Sequence, residues 1–533
     1  MLTQFDIIIM PLLPEKIHRK IFVFAIILLV ISIPLSKFGM SVSVLMLTAN
    51  WLLEGNLKQK FSSFFKNKTA LVFSSIFIMH LIWLFNTTNF SYSLDDLRTK
   101  IPIFALAVIF STSPIISSKQ FKTVILSHVG AVLLATVAGF YIYLTQEIAE
   151  IRQISPFVSH IRLSLNICLS IISLFYLIIN ENHLHKILRI GMIILVFWLF
   201  LFLFLLQSAT GIIILLVCFF VLLIYQIYIS KQNKIRRVVL LVILILMPIV
   251  GFLWVSKTIH NYLTPDSEIL NNLEETTLHG NPYIHDSLGM PIENGQYIGL
   301  YINLHELKTA WDERSDIPFD CVDGKGQDTR ITLIRYLNSK NLRKDYEGVW
   351  QLTDHDIKNI EKGIANHYYT QSFNPKIRIY KILWEFQNYR LNGDIHGHSL
   401  IQRFELWSAA TSIIQKNWLF GTGTGDIPDA FKNELTERNS PLKDTRMRSH
   451  NQFLSIFIAF GIFGFLWFLF ALYYPVIAVN KGKDYFFLLF LIIISLSMLT
   501  EDTLEPQDGL TFFAYFYALF LFQRPKNLTS NEP

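Results

Sequence analysis

Charge is what this sequence has least of. Only 16% of its 533 residues are Asp, Glu, Lys or Arg, whereas a soluble globular domain carries nearer a quarter. Cysteine is almost absent: Cys168, Cys218 and Cys321 are the whole set, and the first two fall inside apolar runs. Neither a disulfide framework nor a thiolate metal site can be built from them. His396-Gly397-His398 resembles half a metal site, but no carboxylate or third His stands at ligand spacing. Gly421-Thr422-Gly423-Thr424-Gly425 is rich in glycine yet lacks the Lys and the strand–helix setting of a phosphate loop. No Ser-His-Asp order, no paired-aspartate nucleotide-sugar motif and no internal repeat stand out. We therefore expect neither a metal nor a cofactor. The formal net charge of +6 is not a nucleic-acid signal, because the basic residues sit in short clusters between apolar runs. No small-residue cleavage site follows the first apolar run, which reads as a retained span.

Apolar and aromatic residues are abundant instead, at 52% and 14%, with 45 Phe. Apolar runs lie at 20–37, 40–54, 70–86, 101–116, 122–145, 159–180, 188–206, 210–229, 238–256, 451–473, 484–500 and 509–523. In lipid every backbone amide must find a partner, so runs without strand-like alternation imply helices. The expected fold is an all-α polytopic membrane protein with about twelve transmembrane helices. The runs 40–54, 101–116 and 509–523 are short for a span. Three regions follow: an N-terminal membrane region 1–256 holding spans one to nine, a polar segment 257–449, and a C-terminal membrane region 450–533.

Lys and Arg set the orientation. With the N-terminus inside, the short inner segments carry about nineteen of them and the short outer loops four, Lys37, Arg98, Lys100 and Arg152. The bias puts both termini in the cytoplasm and the 257–449 loop outside, which in a Gram-negative cell is the periplasm. That loop is mainly helical by its spacing. Thr353-Asp354-His355-Asp356 reads as an N-cap with an acidic first turn. Residues 330–338, 377–391 and 401–416 have helical periodicity, and the last run stops at Gly421–Gly425.

Chemistry is most concentrated where the loop re-enters the membrane, at Arg446-Met447-Arg448-Ser449-His450-Asn451-Gln452. Gly461 follows nine residues after Asn451, and then Gly464. A His at the outer mouth of a span is placed to act as a base on a substrate arriving from outside. The plainer alternative is that Ser449 or Asn451 caps the helix, His450 is a wet interfacial residue, and the glycines serve close helix packing. Arg162 stands at the outer end of the sixth span, where a cation is costly; it is either functional or a side chain reaching the headgroups. Arg403 precedes Trp407 by one helical turn and is either a binding group or part of a solvated face. Arg446 and Arg448 are binding groups or ordinary interfacial cations. Together these arginines form a cluster suited to a diphosphate, through forked, charge-assisted hydrogen bonds. Glu501, Asp502, Glu505 and Asp508 crowd the last outer loop; they satisfy the orientation rule or contact an acceptor or a basic group.

The re-entry pattern resembles the O-antigen ligase and O-antigen polymerase superfamily. Its His, Asn, nine residues, Gly, two residues, Gly series reads here as His450, Asn451, Gly461 and Gly464. An Arg-x-x-x-Trp helix with a Gly-rich turn also precedes the motif in that family, and here it is Arg403–Trp407 followed by Gly421-Thr422-Gly423. One departure stands at Ser208-Ala209-Thr210-Gly211, where many relatives carry a Ser-Arg-Gly-like turn. That puts one diphosphate contact of the family in doubt, unless Arg162, Arg446 or Arg448 supplies it.

The resemblance implies a GT-C-like glycosyltransferase of the inner membrane that inverts the sugar without a metal. The donor would be a glycan on undecaprenyl diphosphate and the acceptor a sugar hydroxyl of lipid A–core. His450 would be the catalytic base. Arg162, Arg403, Arg446 and Arg448 would hold the diphosphate, and Trp407, Asn451, Gly461 and Gly464 would build the motif. The same chemistry serves an O-antigen polymerase or a protein O-oligosaccharyltransferase. The single large loop favours the ligase, since polymerases often carry two. A transporter or lipid flippase would need charges paired in mid-membrane and broken helices in corresponding halves, and the spans are nearly free of mid-helix charge.

Overall fold

In the computed structural model the described residues are 13–146, 148, 151–181, 185–229, 233–371, 374–393, 395, 399–444, 448–478 and 484–525. The chain forms two compact units, residues 1–222 with 403–533, and residues 223–402.

The first unit opens with α1 (Glu15–Leu35), α2 (Lys37–Leu53), α3 (Leu57–Lys66), α4 (Lys68–Ile82) and α5 (Phe90–Thr112). It continues with α6 (Ser118–Thr145), α7 (His160–Asn180), α8 (Lys186–Leu205) and α9 (Ala209–Ile229), whose last turns belong to the second unit. Polar residues between the apolar runs start the helices. Asn67, Asn89, Ser117 and Ser159 each accept a hydrogen bond from a backbone N–H of the turn that follows, which satisfies donors that the helix itself leaves free.

The second unit comprises α10 (Lys234–Leu263), a two-stranded hairpin of β1 (Ile292–Glu293) and β2 (Gln296–Tyr297), and five helices. These are α11 (Leu304–Arg314), α12 (Thr329–Ser339), α13 (Tyr346–Trp350), α14 (Asp354–Glu361) and α15 (Lys376–Asn392). Thr353 caps α14 in a reciprocal box: its Oγ1 accepts from Asp356 N at 3.2 Å, and Asp356 Oδ2 accepts from Thr353 N at 2.9 Å. Leu307, Trp311, Leu333, Val349 and Ile360 form the core of this unit. The buried Trp311 keeps its indole N–H satisfied by Ile317 O at 2.7 Å. By contrast, α10 is apolar through its middle, residues 238–255, and none of its apolar window is buried within the protein. Such a helix has lipid as its natural surroundings.

The chain rejoins the first unit at Arg403, earlier than the boundary at 449/450 expected from hydropathy. The reason is packing: α16 (Ser399–Lys416) and α17 (Ile427–Glu437) belong with α18 (Gln452–Ala478), α19 (Tyr485–Thr500) and α20 (Gln507–Ala518). A helix lies over each of the twelve apolar runs. Among the described residues, eight of these helices are long and apolar enough to cross a membrane, with α2 and α19 apolar but shorter. The expected number of about twelve is thus reached by composition and length in eight. α5 falls short because Asp95, Asp96, Arg98 and Lys100 occupy its first turns, and α20 because it has only 12 residues. α20 is instead a central helix: Asp508 through Ala518 are all buried. Its tyrosines stay satisfied, Tyr515 Oη donating to Ile26 O at 2.9 Å and Tyr517 Oη to Leu472 O at 2.9 Å.

Candidate active site

The site is built on two backbones locked together. α18 is broken at Gly461, whose φ of 60° and ψ of −165° belong to neither helix nor strand. A Cβ there would stand 2.3 Å from Leu419 O, and one at Gly421 would stand 2.4 Å from Ala459 O. Only glycine permits this approach, and at Gly461 the combination of φ and ψ is one that glycine alone adopts. The amides exposed by the break are repaired across the gap. Thr422 N donates to Ile458 O at 2.7 Å, Gly423 N to Ala459 O at 2.9 Å, and Ile462 N to Trp418 O at 2.8 Å. The Gly-rich turn is in turn held by the 3-10 turn Trp83–Asn86 that follows α4: Trp83 Nε1 donates to Phe420 O at 2.7 Å and Asn86 Nδ2 to Gly421 O at 2.9 Å. Gly464 leaves room for the Phe460 side chain and for Met79 of α4.

Just before α18 the chain turns sharply. His450 has a φ of 48°, in the left-handed region that a side chain disfavours. Several contacts hold it there. Trp407 Nε1 donates to Ser449 O at 2.9 Å, and His450 N donates to Asp502 Oδ2 at 3.0 Å. Asn451 then caps α18: its Oδ1 accepts from Phe453 N at 3.0 Å and from Leu454 N at 3.2 Å. Asn451 is therefore the helix cap that the plainer sequence reading offered. Its neighbour His450 keeps its side chain 40% exposed, with Nδ1 at 3.8 Å from Glu501 Oε2.

Three of the four candidate arginines are described, and acidic residues of the α19–α20 loop or the first turn of α20 meet all three. Arg403 Nη2 lies 2.6 Å from Glu501 Oε1. Arg448 Nη1 lies 2.6 Å from Glu505 Oε2, and Arg448 also donates to the Tyr92 hydroxyl. Arg162 is buried at 5% exposure, with Nε 3.8 Å from Asp508 Oδ1 and Nη2 donating to Asp502 O at 3.3 Å. It is therefore a buried brace of that loop and does not reach out to headgroups, and its Nη1 has no hydrogen-bond partner among the described residues. Arg446 and His396-Gly397-His398 lie outside the described residues.

The charges continue inward. Lys100 of α5, 1% exposed, pairs with Asp96 and, at 3.1 Å, with Glu505 Oε2. Gln452 Nε2 donates to Glu505 Oε1 at 3.0 Å, and Ser455 Oγ to Asp502 Oδ1 at 2.6 Å. A small cavity beside them is lined by His80, Asp96, Lys100, Thr424, Ser455 and Glu505, among others.

The acidic loop is tuned by this company. Burial opposes the charged form of Glu501, but His450, Arg403 and Arg162 outweigh it and hold the carboxyl below its ordinary range. Glu505 is likewise buried, and the charges of Arg448 and Lys100 drive its carboxyl well down. Asp502 goes the other way, because burial outweighs the hydrogen bond from Ser455 and the charge of Arg448. For Arg448, burial is overcome by Glu505 and the nearby Tyr92, so its guanidinium stays firmly protonated.

Sequence reasoning named the basic half of this cluster as its binding groups and left the acidic half open between an orientation bias and contact with an acceptor or a basic group; contacts with Arg403, Arg448 and Arg162 answer to the last of these. Lys100 enters the sequence reading only as one of four outer-loop cations, and Asp96 carries no motif. The signal that would have found them is charge balance: cations gathered at one end of a helix bundle require anions at the same end. At Ser208–Gly211, where many relatives of the resembled family carry an Arg, the structure has close packing instead. A Cβ on Gly211 would come within 2.7 Å of Ser164 Cβ, so α9 and α7 meet there.

Comparison with known protein families gives one finding that bears on this geometry. Residues 357–469 match the family model described as O-antigen ligase. The matched stretch contains Arg403, Trp407, the Gly-rich turn, Arg448, His450, Asn451, Gly461 and Gly464. Comparison with the curated proteins gives no match.

Proposed function

We propose, from the match of residues 357–469 to the family model described as O-antigen ligase, that this chain is a member of the O-antigen ligase and polymerase superfamily and, within it, the ligase. It transfers a glycan from undecaprenyl diphosphate to a sugar hydroxyl of lipid A–core. The setting is a multi-pass bacterial membrane protein of glycosyltransferase-like kind, acting on lipid-linked glycans. The proposal adds the inner membrane, cytoplasmic termini and a periplasmic face for the chemistry, on the strength of the Lys and Arg bias.

One observation carries the reading. Within the matched segment a half-exposed imidazole is held on a strained backbone, and Arg403 of α16 shares the carboxylate it approaches. Strain of this kind persists only where surrounding contacts over-determine it, and it gathers at functional sites. In the proposed step the acceptor hydroxyl oxygen attacks the anomeric carbon of the donor, with inversion. The bond from that carbon to the phosphate oxygen breaks, and its electron pair leaves with undecaprenyl diphosphate. The hydroxyl proton passes to His450. Arg403 commits Nη2 to Glu501, and a guanidinium has five N–H donors, so it retains capacity for phosphate oxygens. Arg448 and Arg162 add fixed positive charge at the same end of the helices, and with Arg446 they are proposed to stabilise the leaving diphosphate. A diphosphate leaves readily, so positioning and charge neutralisation suffice and the proposal requires no metal.

The test is His450→Ala expressed in a strain lacking the native gene. Lipid A–core is expected to remain bare while long lipid-linked polymer accumulates. Normal capping of the core by that variant would overturn the reading. A deletion strain that leaves single repeats on the core would instead identify the chain as a polymerase.

A further inference from the structure

Glu501 stands between two groups that the reaction uses in different ways. Its Oε1 is 2.6 Å from Arg403 Nη2, and its Oε2 is 3.8 Å from His450 Nδ1. The carboxylate is 13% exposed, against 40% for the imidazole and 23% for the guanidinium. It is thus the least exposed member of a triad whose other members face outward more. Its neighbour Asp502 clamps the His450 backbone from the same loop, so the loop controls both the main chain and the ring of that residue. Arg162 and Arg448 brace the loop in turn, through Asp502 O, Asp508 and Glu505.

Resting on the ligase reading, we propose that Glu501 is a positioning residue shared by the base and the anion clamp. Its approach to Nδ1 selects the imidazole tautomer that carries a proton on that nitrogen, which leaves Nε2 free to take the proton of the acceptor hydroxyl. The gap of 3.8 Å is longer than a hydrogen bond, and the competing pull of Arg403 accounts for it. A diphosphate arriving at Arg403 supplies that guanidinium with new acceptors, and Glu501 is released toward His450. Donor binding and activation of the base are thereby coupled through one carboxylate. Nothing in this scheme requires Glu501 to touch substrate.

The experiment uses the purified full-length protein in proteoliposomes, with lipid-linked glycan donor and lipid A–core acceptor. Glu501→Gln keeps the shape but loses the charge. It is expected to lower kcat about tenfold or more. Its KM for the donor should stay level or fall, because Arg403 no longer has a full carboxylate competing with the diphosphate. Glu501→Asp should recover a large part of kcat. Arg403→Ala should show the opposite split, with a raised donor KM. A merely structural role for Glu501 would raise KM and lower kcat together, equally in the Gln and Asp variants, and that result overturns the proposal. So does a Glu501→Gln enzyme within twofold of the native kcat. His450→Ala in the same assay separates the two claims. If it is inactive and Glu501→Gln is native-like, only the role of Glu501 fails; if it is active, the ligase reading fails first.

Discussion

Two Glu–Arg pairs in this chain are built to opposite ends. In the second unit, Glu293 and Arg335 are 0% and 6% exposed and meet through two parallel contacts, Nε to Oε2 at 3.0 Å and Nη2 to Oε1 at 2.9 Å. Asn366 Nδ2 adds a third donor at 2.7 Å, and the guanidinium lies 3.3 Å from the centre of the Trp384 ring. In the first unit, Glu501 and Arg403 share a single contact, the arginine is partly open, and the third partner is an exposed imidazole. A saturated pair has nothing left to offer a ligand, and it repays its desolvation through geometry. An unsaturated pair keeps donors and an acceptor in reserve. Burial alone therefore does not mark a functional charge; unspent hydrogen-bonding capacity beside a strained backbone does.

The contrast is broken or sharpened by four changes, taken from the largest effect down. His450→Ala should cut transfer in vitro by about 100-fold or more while leaving thermal unfolding of the purified protein near the native value. A comparable loss of folding would move His450 to the structural side of the comparison. Arg335→Ala should do the reverse. It strands Glu293 as an uncompensated buried charge, a loss of about 3–5 kcal/mol, read as faster proteolysis within residues 264–392. Native resistance in that variant would erase the distinction between the pairs. Gly461→Ala imposes a side chain where φ and ψ suit only glycine, costing about 1–3 kcal/mol, and drives a Cβ toward Leu419 O. Its unfolding temperature should fall together with kcat, because the same lock supports the start of α18. Trp407→Phe should be mildest. It removes one hydrogen bond to Ser449 O, worth about 1 kcal/mol, and should lower kcat a few-fold with little change in stability.

Much of the local structure was legible in advance. Thr353 and Asp356 form the cap their spacing implied, and helices cover residues 330–338, 377–391 and 401–416. Those features depend on neighbours three or four residues apart. The pairing of the arginines was not legible. Arg403 meets a residue 98 positions away and Arg162 one 340 positions away, and no periodicity carries that information. The His-Asn-Gly-Gly pattern was visible as a string, but two of its members turn out to do separate jobs. Asn451 caps the helix, and Gly461 breaks it to let the Gly-rich turn in.

The sequence by itself determined that this is a predominantly helical protein with several helices long and apolar enough to cross a membrane, and where those helices lie. Apolar length and the cost of an unpaired amide in lipid are properties of each segment alone. Tertiary structure decided which carboxylate answers which arginine, that Arg162 is buried, and that His450 adopts a left-handed backbone with its ring beside Glu501. Those outcomes depend on the packing of α7, α16, α18 and the α19–α20 loop, because charge pairing acts across space and is indifferent to distance along the chain.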